Sequence, residues 1–259
     1  MAMTEPTTTG LAAPATLGPV EGPEGPEGPE GLGEDAPVRP RTAFVGRLEI
    51  QWDPRILEPR PWVAEQSRWA ALLLTDLPPG PVLELCSGAG HIGLLAVAGT
   101  RRELVCVDVD PVASRYAADN ARRNGLADQV SVRTETIADA AEHPTAYSLV
   151  LADPPWVSSH EVTRFPEDPV RAIDGGADGS ALAIDCVRTA SRVLAPGGAM
   201  VLQVGDEAQL DGPVAAAGAE HGLVEVERRV YERGVLALLR RPGDGPGDGG
   251  DAGGGAVSG

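Results

Sequence analysis

Two groups of residues in this chain have the types and spacing of a ligand and reaction site. The first is Glu84-Leu-Cys86-Ser-Gly88-Ala-Gly90-His91-Ile-Gly93. A short apolar run, Val82–Leu85, leads into a glycine-rich turn and then into a helix-forming run. Gly88 and Gly90 carry no Cβ, so backbone N–H groups at the turn can approach a bound ligand closely. The GxGxxG spacing alone is a weak signal that suits a dinucleotide or any other adenosine ligand. Asp108 follows Gly88 by 20 residues and closes the next apolar run. A carboxylate at that point can accept hydrogen bonds from both hydroxyls of a ribose. Glu84 lies inside its apolar run, just before the turn. A carboxylate there is costly unless it meets a cation or donors, and a sulfonium or an amino-acid ammonium would supply one.

The second group is Asp153-Pro154-Pro155-Trp156. Two prolines stiffen the chain and leave the Pro154 carbonyl free to accept. Asp153 and that carbonyl can together take both hydrogens of a planar NH₂ group, and Trp156 can stack on its face. An amide or aniline-type nitrogen is a poor nucleophile because its lone pair is delocalised. Acceptors on its hydrogens raise the electron density on nitrogen and aim it at an electrophilic methyl. An NAD-dependent oxidoreductase has no use for this tetrapeptide, nor for an acid four residues before the glycines, and no Tyr/Lys pair for hydride transfer is identifiable.

These residues need strands and helices to hold them. The pattern from Pro81 onward alternates the two. Strands are predicted over Val82–Leu85, Leu104–Val107, Val130–Arg133, Tyr147–Ala152, Ala199–Val204, Leu223–Tyr231 and Val235–Arg240. Helices are predicted over Ile92–Ala98, Val112–Asn124, Ala177–Leu194 and, weakly, Val214–Glu220. Gly125 is a natural left-handed stop. The reading is α/β: a doubly wound, seven-stranded, mostly parallel sheet, with the final hairpin adding an antiparallel strand at one edge. Both chemical groups then fall at carboxyl ends of strands, where such sheets bind ligands.

The chain divides into a Pro/Gly/Glu-rich tail over 1–40, an entry segment and helix over 41–80, the catalytic domain over 81–241, and a Gly/Asp-rich tail over 242–259. Both tails have too little apolar surface to offset ordering entropy and are expected to be disordered. In the entry segment Ala43–Ile50 reads as hairpin strand, and Pro61 as the first turn of a helix. The net charge is −17, of which residues 1–40 carry −6 and residues 241–259 carry −2, leaving about −9 for residues 41–240. That balance disfavours broad nucleic-acid binding. Cys86, Cys106 and Cys186 show no CxxC spacing and read as reduced thiols of a cytoplasmic protein. No secretory signal is visible, and no apolar run spans a bilayer. His91, His143, His160 and His221 have no metal-ligand spacing, so packing or surface roles and no metal are expected. Arg164, Arg171 and Asp174 follow the tetrapeptide and are candidates to shape the site's mouth.

The order Glu84-Leu-Cys-Ser-Gly-Ala-Gly90, then Asp108, then Asp153-Pro-Pro-Trp156 resembles the Rossmann-like S-adenosylmethionine-dependent methyltransferases. More closely, it resembles the release-factor glutamine N5-methyltransferases (the HemK/PrmC type). Asp108-Val-Asp-Pro, Ala118-Asp-Asn-Ala-Arg-Arg-Asn-Gly-Leu126, Arg171-Ala-Ile-Asp-Gly-Gly-Ala-Asp-Gly179, Leu194-Ala-Pro-Gly-Gly198 and Leu202-Gln-Val-Gly205 are similar to their stretches. So is Leu57-Glu-Pro-Arg-Pro61 at the entry. The likeness runs over roughly 55–240. It implies S-adenosyl-L-methionine as cofactor, held by Glu84, Cys86, Gly88, Gly90, Asp108, Val109, Glu135, Thr136 and Asp153. It implies Asp153, Pro154, Pro155 and Trp156 as the catalytic turn. There are departures. The family tetrapeptide usually begins with Asn and ends with Tyr. Cys86 stands where glycine is usual. Thr136 lies where an acid often meets the adenine amine, with Glu135 adjacent. A tail and short entry segment stand in place of that family's helical N-terminal domain.

The reading that follows is an N-methyltransferase acting on a planar nitrogen, a glutamine-type amide of a protein. The alternatives are a small metabolite or an exocyclic adenine amine as acceptor, and a non-catalytic module that binds the cofactor without turnover.

Overall fold

The structure, a computed structural model, describes residues 38–243. The tails expected to be disordered lie, but for residues 38–40 and 242–243, outside the described residues.

Apolar side chains alternate along the strands, so each strand feeds two cores. On β3 (Val82–Leu85) Val82 enters one core, and Leu83 and Leu85 the other. The same alternation recurs on β4 (Leu104–Asp108), β6 (Tyr147–Ala152), β7 (Leu194–Val204) and β9 (Gly234–Arg240). The first core is covered by α1 (Ala64–Leu73), α2 (His91–Val97) and α3 (Pro111–Arg123). The second is covered by α5 (Ala181–Val193) and by the segment carrying α6 (Glu207–Gln209) and α7 (Ala215–Glu220). A short α4 (Val170–Ile173) lies in the loop after β6.

With β5 (Val130–Thr134) and β8 (Val224–Tyr231), the sheet has seven strands in the order β5-β4-β3-β6-β7-β9-β8. The strands from β5 to β7 are parallel, and β9 is antiparallel to both its neighbours. The expected edge hairpin is therefore present, with β9 as its inner, antiparallel strand and β8 outermost. The decisive feature is the centre. From β3 the chain winds outward to β4 and β5, then returns to place β6 on the other side of β3. That reversal is the switch point at which such sheets open a crevice.

Two boundaries differ from expectation by more than two residues. Helix α5 begins at Ala181 rather than Ala177, because Gly176 and Gly179 adopt left-handed backbone at φ +92° and +78°. Strand β7 begins at Leu194 rather than Ala199, with its pairing to β6 irregular between Tyr147 and Leu149.

The entry segment forms a hairpin of β1 (Arg41–Val45) and β2 (Leu48–Trp52), followed by a 3₁₀ turn over Pro61–Val63 that leads into α1. It shares the first core through Val45, Leu48, Ile50 and Trp52. Polar bonds fix its place. Asn120 of α3 accepts from Gln51 N at 2.8 Å and donates to Gln51 O at 2.9 Å and to Ala89 O, in the glycine turn, at 3.0 Å. Asp53 is fully buried, and accepts from Arg55 at 2.7 Å and from the Tyr116 hydroxyl at 2.7 Å. Removing one member of a buried charged network costs about 3 kcal/mol or more. Asp53→Ala is accordingly expected to lower stability by about that amount, read as a drop in the urea midpoint; an unchanged midpoint would show that the network contributes nothing.

Candidate active site

Parallel register brings the two chemical groups together. Leu85 of β3 lies opposite Ala152 of β6, so Cys86 and Asp153 leave the sheet side by side. A cavity of about 490 Å³ opens above them. Its walls include Gly88, Asp108, Asp153, Trp156, Trp62 and Arg171.

The glycine turn is shaped by its own backbone. Cys86, Gly88 and Gly90 have φ of +55°, +51° and +77°. Gly90 is required sterically, since a Cβ there would lie 3.0 Å from the Ala117 Cβ. Cys86 occupies left-handed backbone without glycine's freedom, a strain of roughly 1 kcal/mol. Asp108 fastens the turn: its carboxylate accepts from Gly88 N at 2.8 Å and from Asp110 N at 2.9 Å. Burial pushes the Asp108 carboxyl above its ordinary value. Cys86, Gly88, Asp108, Val109, Glu135 and Thr136 all line the cavity. Glu135 is paired with His143 at 2.9 Å, and the Thr136 hydroxyl donates to Asp139 at 2.7 Å.

Two of the expected cofactor residues do not line the cavity: Gly90, at the helix start, and Glu84. The Glu84 side chain lies beneath the turn, 2% exposed. One carboxyl oxygen accepts from Cys106 Sγ at 3.4 Å and from the Gly93 N–H; the other is buried without a partner. A Cβ on Gly93 would stand 2.4 Å from that carboxyl, so the third glycine of the motif makes room for Glu84 and not for a ligand.

At the second group, Asp153 makes no hydrogen bond among the described residues, and burial pushes its pKa up to about 7. Behind it, one wall is built without slack. Val157 N donates to Ile173 O at 2.9 Å, and Gly175 N to Val157 O at 2.8 Å. A Cβ on Gly175 would meet Pro155 O at 2.6 Å, and one on Gly179 would meet Trp156 O at 2.2 Å. The run Asp174-Gly-Gly-Ala-Asp-Gly179 is therefore the bed of the tetrapeptide. Gln209, which sequence reasoning missed, joins the pieces. Its Nε2 donates to Trp156 O at 2.9 Å and to Asp178 O at 3.1 Å, and its Oε1 accepts from Gly205 N at 2.7 Å.

The mouth lies on the entry side. Arg60 bonds Asp168 at 2.5 Å, and Arg60 and Arg233 stand over the Trp62 ring at 5.8 and 5.0 Å. Arg171 lines the cavity and pairs with Asp110 at 2.8 Å. Arg164 and Asp174, the other two mouth candidates, do not line it. Arg164 pairs with Glu161, and Asp174 accepts from the Ser159 hydroxyl and Gly176 N. Of the four histidines His91 alone lines the cavity; burial lowers its pKa to about 4 and keeps it neutral. The three cysteines are free thiols.

Residues 68–168 match the family model described as the methyltransferase small domain. That stretch is similar to a methyltransferase domain. It is 30% identical over 162 residues to the ribosomal protein uL3 glutamine methyltransferase of Bordetella pertussis, covering 60% of this chain and 54% of the relative. It is 28% identical over 169 residues to the release factor glutamine methyltransferase of Clostridium acetobutylicum, covering 61% and 58%. The chain thus spans little more than half the length of these relatives. Among solved structures, the hMettl16 catalytic domain in complex with the MAT2A 3'UTR hairpin 1 is similar at a TM-score of 0.62 and 16% identity over 76% of each chain. The ribosomal protein L11 methylase of Lactobacillus delbrueckii subsp. bulgaricus is similar at 0.55 and 14%, over 73% of this chain and 83% of that one. At such identities these two likenesses speak for the Rossmann-like methyltransferase fold. Among the described residues, no helix is long and apolar enough to cross a membrane.

The buried Glu84 has a measurable signature. Burial pushes its carboxyl from near 4.5 up to about 8. Between those values the unfolded chain ionises while the folded one stays protonated, so this group's contribution to stability falls as pH rises from about 5 to 8. At about 1.4 kcal/mol per pKa unit the loss is a few kcal/mol. Glu84→Gln is expected to flatten that decline in urea titrations at pH 5 and pH 8. Parallel profiles for the two proteins would mean that Glu84 is ionised in the fold.

Proposed function

We propose that this protein is an S-adenosylmethionine-dependent N-methyltransferase that methylates a glutamine side-chain amide in a protein of the translation machinery. The observation that carries the reading is the meeting, in one cavity, of the glycine turn with Asp108 and the Asp153-Pro-Pro-Trp156 turn across the β3–β6 reversal. The glutamine methyltransferases among its relatives support the acceptor class. A substrate of that kind places the enzyme in the cytoplasm.

The residues fit the cofactor. Gly88 has open space where a Cβ would stand, and Asp108 faces the cavity with both oxygens already oriented by backbone N–H groups. When bound, S-adenosylmethionine would supply an electrophilic methyl on a cationic sulfur. Asp108 would hold the ribose hydroxyls, and the backbone around Gly88 and Gly90 would carry the amino-acid end. Val109, Glu135 and Thr136 would flank the adenine. Asp153 and the Pro154 carbonyl accept the two amide hydrogens, and the Trp156 ring covers the amide face. As nitrogen gains the methyl it sheds one proton, for which the Asp153 carboxylate is the adjacent acceptor. Orientation and fixed acceptors supply the rate enhancement.

Two sets of variants test this. Asp108→Ala is expected to raise the Kd for S-adenosylhomocysteine at least tenfold by calorimetry, with NAD as the negative control. Wild-type affinity in that variant would remove Asp108 from the cofactor site. Asp153→Ala is expected to keep cofactor affinity and lose at least 100-fold in methyl transfer to purified release factor or ribosomal protein uL3. Because only an ionised Asp153 can take the proton that nitrogen sheds, and its pKa is raised to about 7, turnover should climb with pH through that region. Asp153→Asn should remove the climb while retaining measurable transfer. An unchanged pH profile in Asp153→Asn would assign the limb to another group.

A further inference from the structure

A carboxamide acceptor has two polar ends, and the tetrapeptide serves only one. Asp153 and Pro154 can hold the NH₂ hydrogens, which leaves the carbonyl oxygen without a donor. Gln203 stands where a donor is needed. Ala152 of β6 pairs with Leu202 of β7 in parallel register, so Asp153 and Gln203 come next, on adjacent strand ends. Neighbouring strands lie about 4.8 Å apart. Side chains alternate faces along a strand. Leu151 and Val201 enter the same core, so Asp153 and Gln203 point to that same side.

The surroundings fix this pair. Gln66 of α1, itself fully buried, donates to both Ala152 O and Val201 O at 3.0 Å. It ties β6 to β7 just beneath Asp153 and Gln203. Gln203 is 5% exposed and lines the cavity, and its carboxamide has no hydrogen-bond partner among the described residues. Unlike the sealed, unpaired Ser87 Oγ and Tyr147 hydroxyl, its amide atoms are not closed off from the cavity. They stand where a ligand in the cavity can complete the bonding.

We infer that Gln203 is the specificity-determining residue of the acceptor site. Its Nε2 donates to the carbonyl oxygen of the acceptor amide, while Asp153 takes the hydrogens of the NH₂ group. The two contacts fix the amide plane and the direction of the nitrogen lone pair. The site then selects a primary carboxamide over an amine such as that of lysine, which offers no oxygen. This assignment rests on the glutamine reading and adds a residue and a selection rule to it.

The test compares wild type with Gln203→Leu and Gln203→Glu, using tritiated S-adenosylmethionine with purified release factor and ribosomal protein uL3. Leu removes all hydrogen bonding; Glu keeps the shape and removes the donor at neutral pH. Both are expected to lose about 100-fold in kcat/KM for the protein acceptor, with the S-adenosylhomocysteine Kd unchanged within twofold. A folded variant of either kind that keeps kcat/KM within threefold of wild type overturns the assignment and leaves the glutamine reading standing. A wild-type enzyme that binds the cofactor but methylates neither protein overturns both.

Discussion

Everything at the site depends on the parallel pairing of β3 with β6. The strands come from distant parts of the chain, and the ladder between them sets which residues leave the sheet together. A shift of one residue would turn Asp153 to the opposite face of the sheet. The register is held by apolar side chains on both faces, fully buried at Leu83, Leu85, Leu149 and Leu151. The core is thus more than a support. It is the device that converts two separate motifs into one cavity.

Much of this was legible in the sequence, because it rests on local signals. The alternating apolar runs gave the strands. Gly125 marked the end of α3, and the two prolines of the tetrapeptide marked the exit from β6. The residues that escaped notice share a different property. Gln66 and Gln209 are amides whose partners lie far away in the chain: Gln66 bonds carbonyls 86 and 135 residues on, and Gln209 one that lies 53 residues back. A lone Gln or Asn in a helix or strand carries no pattern that announces such bonds. The late start of α5 was hidden for a related reason. Gly175 and Gly179 are needed for close approach to Pro155 and Trp156, and that approach exists only in the folded molecule.

Glu84 shows how a motif can be recognised while its chemistry is misjudged. An acid before a glycine turn invites pairing with a cationic ligand. Here the backbone turns the carboxyl down, into the space that Gly93 leaves, beside Cys106. Its influence on the cavity runs through the shape of the turn. The strained Cys86 and the buried acid lie two residues apart at the strand end. Unfavourable local features gathered in this way are tolerated only where the rest of the fold over-determines the conformation.

The two walls of the cavity are held by separate sets of contacts. On one side Gln209 bonds three separate loops at once, so the tetrapeptide, its glycine bed and the end of β7 must move as a single body. On the other side the entry segment reaches across to the loop before α4 through Arg60 and Asp168, 108 residues apart in sequence. That pair, with side chains 25% and 13% exposed, is largely shielded from salt. Behind it the entry segment is anchored in the first core and by the Asn120 and Asp53 networks. The cavity is in effect a mould whose two halves are cast separately and clasped at the rim.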